Sequence, residues 1–371
     1  VTAGQPIPRP ALVFAAAALL EQLTPGSQGP SAAVVGPVVS LALAVILFDG
    51  GMQIGVRRFR EAAGAIAFVG IVGTFVTTAA LAALAHVIVG LDWYLSVLLG
   101  TALAPTDPAV VFAVLGKREL VGRSRTILEG ESGANDPVGI ALMVSLLAAG
   151  ALTGSAGFDI AGTFLVQMTV GAAAGLLGGL GLRRLLHPVR LPAPLGALPT
   201  LLAALGLFAL AAIAHGSGFL TVFVAGIMVG DGPWPHERQI RSFHSSLASL
   251  GEIVAFVALG LTVDLGVLGH ADVWLPGLAL GALLAVVVRP IVVGLCLLPV
   301  RLAHNERAFV LLAGLKGAVP VLLGSFLLAE QVDQAARLYG IVVVVVVFSV
   351  VVQGGLVPTA VRRLRLPLRE E

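Results

Sequence analysis

Apolar runs alternate with short loops rich in Pro, Gly and Arg along almost the whole chain. A helix crossing a hydrocarbon layer of ~30 Å needs ~20 mostly apolar residues. The pattern divides into twelve such runs, at residues 9–23, 32–54, 62–90, 94–116, 124–149, 160–183, 195–214, 217–231, 246–267, 273–299, 307–329 and 338–361. The runs at 9–23 and 217–231 are short for a full crossing and read as tilted, broken or extended by flanking residues. The prediction is an all-α polytopic membrane protein: one transmembrane domain over 1–361 and a short basic tail, 362–371.

Composition agrees. Of 371 residues, 58% are hydrophobic and 11% charged, with mean hydropathy +1.02; soluble domains run to ~45–50% and ~25%. A soluble monomer this apolar would expose patches beyond the few hundred Å² that such proteins tolerate. Cys296 is the only cysteine, so no internal disulfide forms. A net charge of +2 gives no reason to expect a nucleic-acid partner.

The placement of basic residues orients the spans. Alternate loops collect Arg9; Arg57, Arg58 and Arg60; Lys117, Arg118, Arg123 and Arg125; Arg183, Arg184 and Arg190; Arg238 and Arg241; Arg301 and Arg307; and Arg362, Arg363, Arg365 and Arg369. The opposite loops hold Arg337 alone, while Arg289 and Lys316 fall inside spans. Positive loops mark the cytoplasmic side, so both ends of the chain are expected there, in a bacterial-type inner (plasma) membrane. Val1 in place of Met, with Pro6, Pro8 and Pro10 close behind, reads as the edge of an earlier segment.

Acids in loops are solvated; those within spans need a reason, since a charge at mid-bilayer costs at least ~2.5–3.5 kcal/mol on insertion scales. Asp107 lies ~20 Å below the outer boundary at 1.5 Å per residue, and Asp136 lies ~18 Å above the inner one, so both reach the middle. Pro105 and Pro108 bracket Asp107 in Ala104-Pro105-Thr106-Asp107-Pro108. Each removes an amide donor and disturbs the preceding turn, so this helix should break at mid-depth. Interrupted backbone survives in a membrane where it lines a cavity or is packed in protein, and freed carbonyls beside an acid suit a hard cation. In Glu131-Ser132-Gly133-Ala134-Asn135-Asp136-Pro137, Ser132 and Asp136 share a helix face; Asn135 points elsewhere and would brace the break. Glu131 and Lys316, at similar depth, are expected to form a buried ion pair, and Glu252 to pair with Arg289 or snorkel. Asp49 reads equally as a cavity-mouth ligand or an interfacial cap, and Asp264 as interfacial. The histidines lack ligand spacing, so neither a metal site nor a cofactor is expected.

A second interruption is expected at Gly314-Leu315-Lys316-Gly317-Ala318-Val319-Pro320. Two broken spans in corresponding halves point to an inverted-repeat transporter with a midplane site. The halves are about 9–149 and 195–361, joined by a linker helix at 160–183, and the first is one helix short. Two other classes fit the pattern less well. An intramembrane aspartyl protease would pair its acids but carries a Gly-x-Gly-Asp segment, absent here, and a cation channel would need a symmetric filter or a ring of acids.

At these residues the chain resembles the cation/proton antiporter family of the NhaP and sodium/proton exchanger type, and is especially similar to CvrA-like bacterial potassium/proton antiporters. The resemblance is carried by Leu47-Phe48-Asp49-Gly50-Gly51-Met52, Thr106-Asp107-Pro108, the Glu131–Pro137 segment and the Gly314–Pro320 segment. It implies a thirteen-helix fold, homodimeric, with a core domain that moves against a dimerisation domain, exchanging K+ or Na+ for H+. By the resemblance, Asp136 is the principal ion and proton carrier, assisted by Asp107, Ser132 and the Thr106 carbonyl. Asn135 is structural, Glu131 pairs with the basic residue of the Gly-Leu-basic-Gly segment, and the Asn-Asp pair suggests electroneutral exchange. The chain departs from the family in having Lys316 where Arg is usual. It also lacks the first family helix and the soluble C-terminal regulatory region of many members.

Overall fold

Seven helices among the described residues are long and apolar enough to cross a membrane: Val34–Val89, Trp93–Leu115, Arg123–Ala149, Ala156–Arg184, Glu237–Gly260, Ala271–Cys296 and Ala335–Arg363. Shorter apolar helices run over Leu12–Leu23, Leu198–Ile213, Gly218–Gly230 and Ala318–Ala329. The structure is a computed structural model that describes residues 9–23, 30–115, 118–120, 122–186, 197–232 and 237–370. Lys117, Arg190, Pro6 and Pro8 of the sequence argument lie outside these. The only strand pairing among the described residues is a short antiparallel one, Arg118–Leu120 with Leu368–Glu370. The chain divides into two compact units.

The first unit takes Gly64–Gly139 and Phe256–Glu371, with the chain up to Gly36. Gly90, in the left-handed conformation (φ 73°), ends the helix Gly73–Val89. The Asp92 carboxylate then accepts the Tyr94 and Leu95 amides (2.8 and 3.1 Å), and so starts the next helix, Trp93–Leu103. These two helices pack closely because Gly100 has no side chain: a Cβ there would meet the Thr78 carbonyl and the Ala82 amide. Helix stops at Leu103 and resumes at Pro108, so residues 104–107 are non-helical. A second gap separates His304–Leu312 from Ala318–Ala329. Three π-helical turns also belong to this unit, at Phe68–Val72, Leu284–Val288 and Ser349–Gln353.

The second unit takes Pro37–Ala63 and Ile140–Ala255. Along Ala156–Leu186 the glycines 171, 175 and 179 fall one turn apart, and a Cβ on them would strike Ser217, Thr221 and Ala225 or Met228. The helix Gly218–Gly230, capped by the Ser217 hydroxyl at the Leu220 amide (3.2 Å), lies in that groove. The outward residues of the long helix, among them Phe158, Leu165 and Leu177, are apolar and exposed, the face that a lipid-facing helix presents.

Several boundaries differ from the sequence reading. No loop spans residues 55–61: the chain turns at Gly55 alone (φ 66°, ψ 168°), and helix continues through Ala67. The Asp231 carboxylate occupies the space where a Cβ of Gly55 would stand, and accepts the Arg57 amide (2.7 Å). One glycine and one acid thus replace a loop. The expected span at 246–267 instead begins at Glu237 and ends at Gly260, and a separate short helix, Leu265–Leu268, follows. That short helix is capped by the exposed Asp264, whose carboxylate accepts the Gly266 and Val267 amides (2.8 and 3.3 Å).

Candidate ion-binding site at two helix breaks

The two interruptions of the first unit meet. The Asp107 amide donates to the Leu315 carbonyl (2.8 Å), joining one gap to the other. Prolines open the first gap, and the glycines of Gly314-Leu315-Lys316-Gly317 fit the second around its neighbours. At Gly317 a Cβ would coincide with the Asp107 carboxylate, and at Gly314 with the Arg289 guanidinium.

Each charged group here has a distinct task. Asp107 Oδ1 accepts the Ala109 amide (2.9 Å), and the carboxylate also takes the amides of Val110 and Ala318. It therefore sits at the N-terminal ends of two half-helices, Pro108–Leu115 and Ala318–Ala329, where the helix dipole favours an anion. Lys316 lies at the opposite pole. Its Nζ donates to the carbonyls of Ala104 (2.8 Å) and Pro105 (2.9 Å), past the C-terminal end of Trp93–Leu103. Its own amide donates to Ser349 Oγ (2.9 Å), at the start of a π turn.

The expected Glu131–Lys316 pair is not what forms. Arg289 holds Glu131 in a two-pronged ion pair, Nη1 to Oε1 at 2.7 Å and Nη2 to Oε2 at 3.1 Å, and Nη2 also donates to the Val310 carbonyl (3.0 Å). The planar guanidinium matches a carboxylate with both prongs, which an ammonium cannot. Arg289 is thereby engaged with Glu131. Lys316 is left to the broken-helix carbonyls, acceptors that no side-chain pattern announces.

Asn135 ties the intact helix to the gap. Its Nδ2 donates to Thr106 Oγ1 (2.8 Å) and its Oδ1 accepts the Thr106 amide (3.4 Å), while the Thr106 hydroxyl donates to Glu131 Oε1 (3.3 Å). Four residues further on, Gly139 lies against the Pro105 ring, where a Cβ would come within 2.7 Å. Asp136 is held between these two contacts and is buried. Ser132 Oγ donates to its Oδ2 (3.3 Å), and its Oδ1 has no hydrogen-bond partner among the described residues. Asp107, Lys316 and Glu131 are within electrostatic reach of it.

A cavity of about 10 Å³, the space of roughly one water, is lined by Glu131, Asn135, Arg289, Lys316, Ala104 and Thr74, among others. Asp49 belongs to the second unit. It is buried there, with Oδ2 accepting from Gln53 Nε2 at 2.6 Å. Sequence reasoning missed Arg289 as the partner of Glu131 and Ser349 as the anchor of Lys316.

The chain is 34% identical over 336 residues to the K(+)/H(+) antiporter NhaP of Alkalimonas amylolytica, covering 90% of this chain and 58% of that protein. It is 33% identical to the K(+)/H(+) antiporter NhaP2 of Shewanella oneidensis, with 89% and 58% covered. The chain thus spans a little over half the length of these relatives. Its fold matches that of the sodium/proton antiporter MjNhaP1 from Methanocaldococcus jannaschii, with a TM-score of 0.82 at 20% identity over 96% of this chain and 92% of that one. The model of the transmembrane sodium/hydrogen exchanger family matches residues 3–363, and the chain belongs to that family.

Proposed function

We propose that this chain is the exchange domain of a monovalent cation/proton antiporter, trading K+ or Na+ for H+ at Asp136 by alternating access. What carries the reading is one atom, the buried and unpartnered Oδ1 of Asp136 beside two interrupted helices. A bare carboxylate is costly to keep from water, so Asp136 must hold either a proton or a cation, and each displaces the other. Its neighbours divide the remaining work. Ser132 and the Thr106 carbonyl assist the cation, Asn135 and the Glu131–Arg289 pair hold the gap in shape, and Asp107 contributes fixed negative charge. Asp49 stands as a candidate at the mouth of the access path.

The charge count supports electroneutral exchange. Asp107, Glu131 and Asp136 against Arg289 and Lys316 leave one negative charge when all are ionised, which one H+ or one alkali cation cancels. Two half-repeats, about 9–149 and 195–361, joined by the 160–183 helix, would supply the two broken helices, and access would alternate by movement of one bundle against another. The arginine-rich loops favour cytoplasmic ends, and by family likeness the working protein is a homodimer. In proteoliposomes carrying a pH-sensitive dye, wild type is expected to acidify or alkalinise the lumen when a K+ or Na+ gradient is imposed, and Asp136→Asn to lose that response. Cation-driven proton flux persisting in Asp136→Asn overturns the reading.

A further inference from the structure

We propose that Lys316 is a tethered cation: its ammonium fills a cation-binding site made by the Ala104 and Pro105 carbonyls, and that site takes a small primary ammonium ion when the side chain is removed. The inference rests on the antiport reading above for its functional arm only.

The geometry is that of a ligand in a site. Nζ lies 2.8 Å from one carbonyl oxygen and 2.9 Å from the next, so two of the three bonds an ammonium can donate go to consecutive backbone oxygens. These carbonyls face a ligand because Pro105 and Pro108 stop the helix that would otherwise have consumed them. Consecutive backbone carbonyls are also the groups with which membrane proteins replace the hydration shell of K+. The root of the side chain is fixed independently, since the Lys316 amide is held by Ser349 Oγ, so the ammonium is delivered to the carbonyls by an anchored stem. Lys316 is 2% exposed. A water-sized cavity is bordered by Ala104, Glu131, Asn135 and Lys316, so shortening the lysine enlarges a polar space that already exists.

The consequence concerns occupancy. With Lys316 in place, a mobile cation is excluded from the carbonyls and has Asp136 as its remaining partner. Without the side chain the cluster lacks one positive charge, and a second cation is drawn in to restore the balance.

The test uses Lys316→Ala and Lys316→Gln in the full chain, with methylammonium as the probe and tetramethylammonium, which has the charge but no N–H, as its control. Thermal unfolding in detergent reads binding. Methylammonium is expected to raise the melting temperature of Lys316→Ala by several degrees and leave wild type unmoved, and tetramethylammonium to do nothing to either. Tracer equilibrium exchange of Rb+ or Na+, with equal pH on both sides, reads function. Lys316→Ala and Lys316→Gln are expected to fall about tenfold or more, and methylammonium to recover most of the rate in Lys316→Ala. Three results overturn the proposal: no stabilisation of Lys316→Ala by methylammonium, equal stabilisation of wild type, or wild-type exchange in Lys316→Gln, which keeps a donor but no charge. If Lys316→Ala does not fold, Lys316→Gln decides the matter. Absence of exchange in wild type sinks the antiport reading and leaves the binding arm standing.

Discussion

At the scale of single residues, the sharpest contrast lies between two basic groups. Arg289 has a two-pronged carboxylate partner, whereas Lys316 has two carbonyls. Removing one member of a buried pair strands the other and costs about 3–5 kcal/mol, whereas removing both can be nearly neutral. Glu131→Gln is therefore expected to lower thermal stability steeply, and the double change Glu131→Gln with Arg289→Gln to recover part of the loss; a double-mutant cycle on unfolding midpoints checks this. Equal melting temperatures for wild type and Glu131→Gln would remove the pair as a stabilising element. Asp107 and Asp136 were legible in the sequence because acids at that depth are rare and prolines mark the gap. The Glu131 partner was not, because Arg289 lies 158 residues away and nothing in a linear pattern says which of two basic groups reaches it.

At the scale of elements, the π turn Leu284–Val288 decides which way Arg289 faces. An i→i+5 turn holds one residue more than an α turn. A helical wheel drawn through Ala271–Cys296 therefore misplaces everything after the turn by about 100°, and Arg289 is the first residue beyond it. The long apolar helices themselves were legible because length and hydropathy suffice to mark them. The turn at Gly55 was not, since it depends on Asp231, which fills the space beside that glycine from far along the chain. A paired deletion tests the π turn. Removing Val286, a residue 74% exposed, closes the bulge to an ordinary turn and leaves both flanking faces where they were. Removing Leu278 from the regular helix upstream rotates Arg289 away from Glu131. The Leu278 deletion is expected to melt at a much lower temperature than the Val286 deletion, and the reverse order would refute the assignment.

At the scale of the whole molecule, apolar length and two interruptions were enough to indicate a membrane protein of the exchanger family, and the family match over residues 3–363 agrees. Which units the chain forms was not legible, because each is assembled from segments far apart in sequence. The proposed one-for-one exchange carries no net charge across the bilayer, so a potential clamped with valinomycin and K+ at equal concentration on both sides is expected to leave Na+-driven proton flux unchanged. A rate that changes when the clamp is applied would contradict the charge count. On the proposed one-for-one exchange, the single uncompensated negative charge of the buried cluster also sets a ceiling on what such a machine can accomplish. Trading one particle for one, it comes to rest when the two concentration ratios are equal, so a difference of one pH unit sustains about a tenfold alkali-ion gradient and no more. Voltage, however large, adds nothing to that limit.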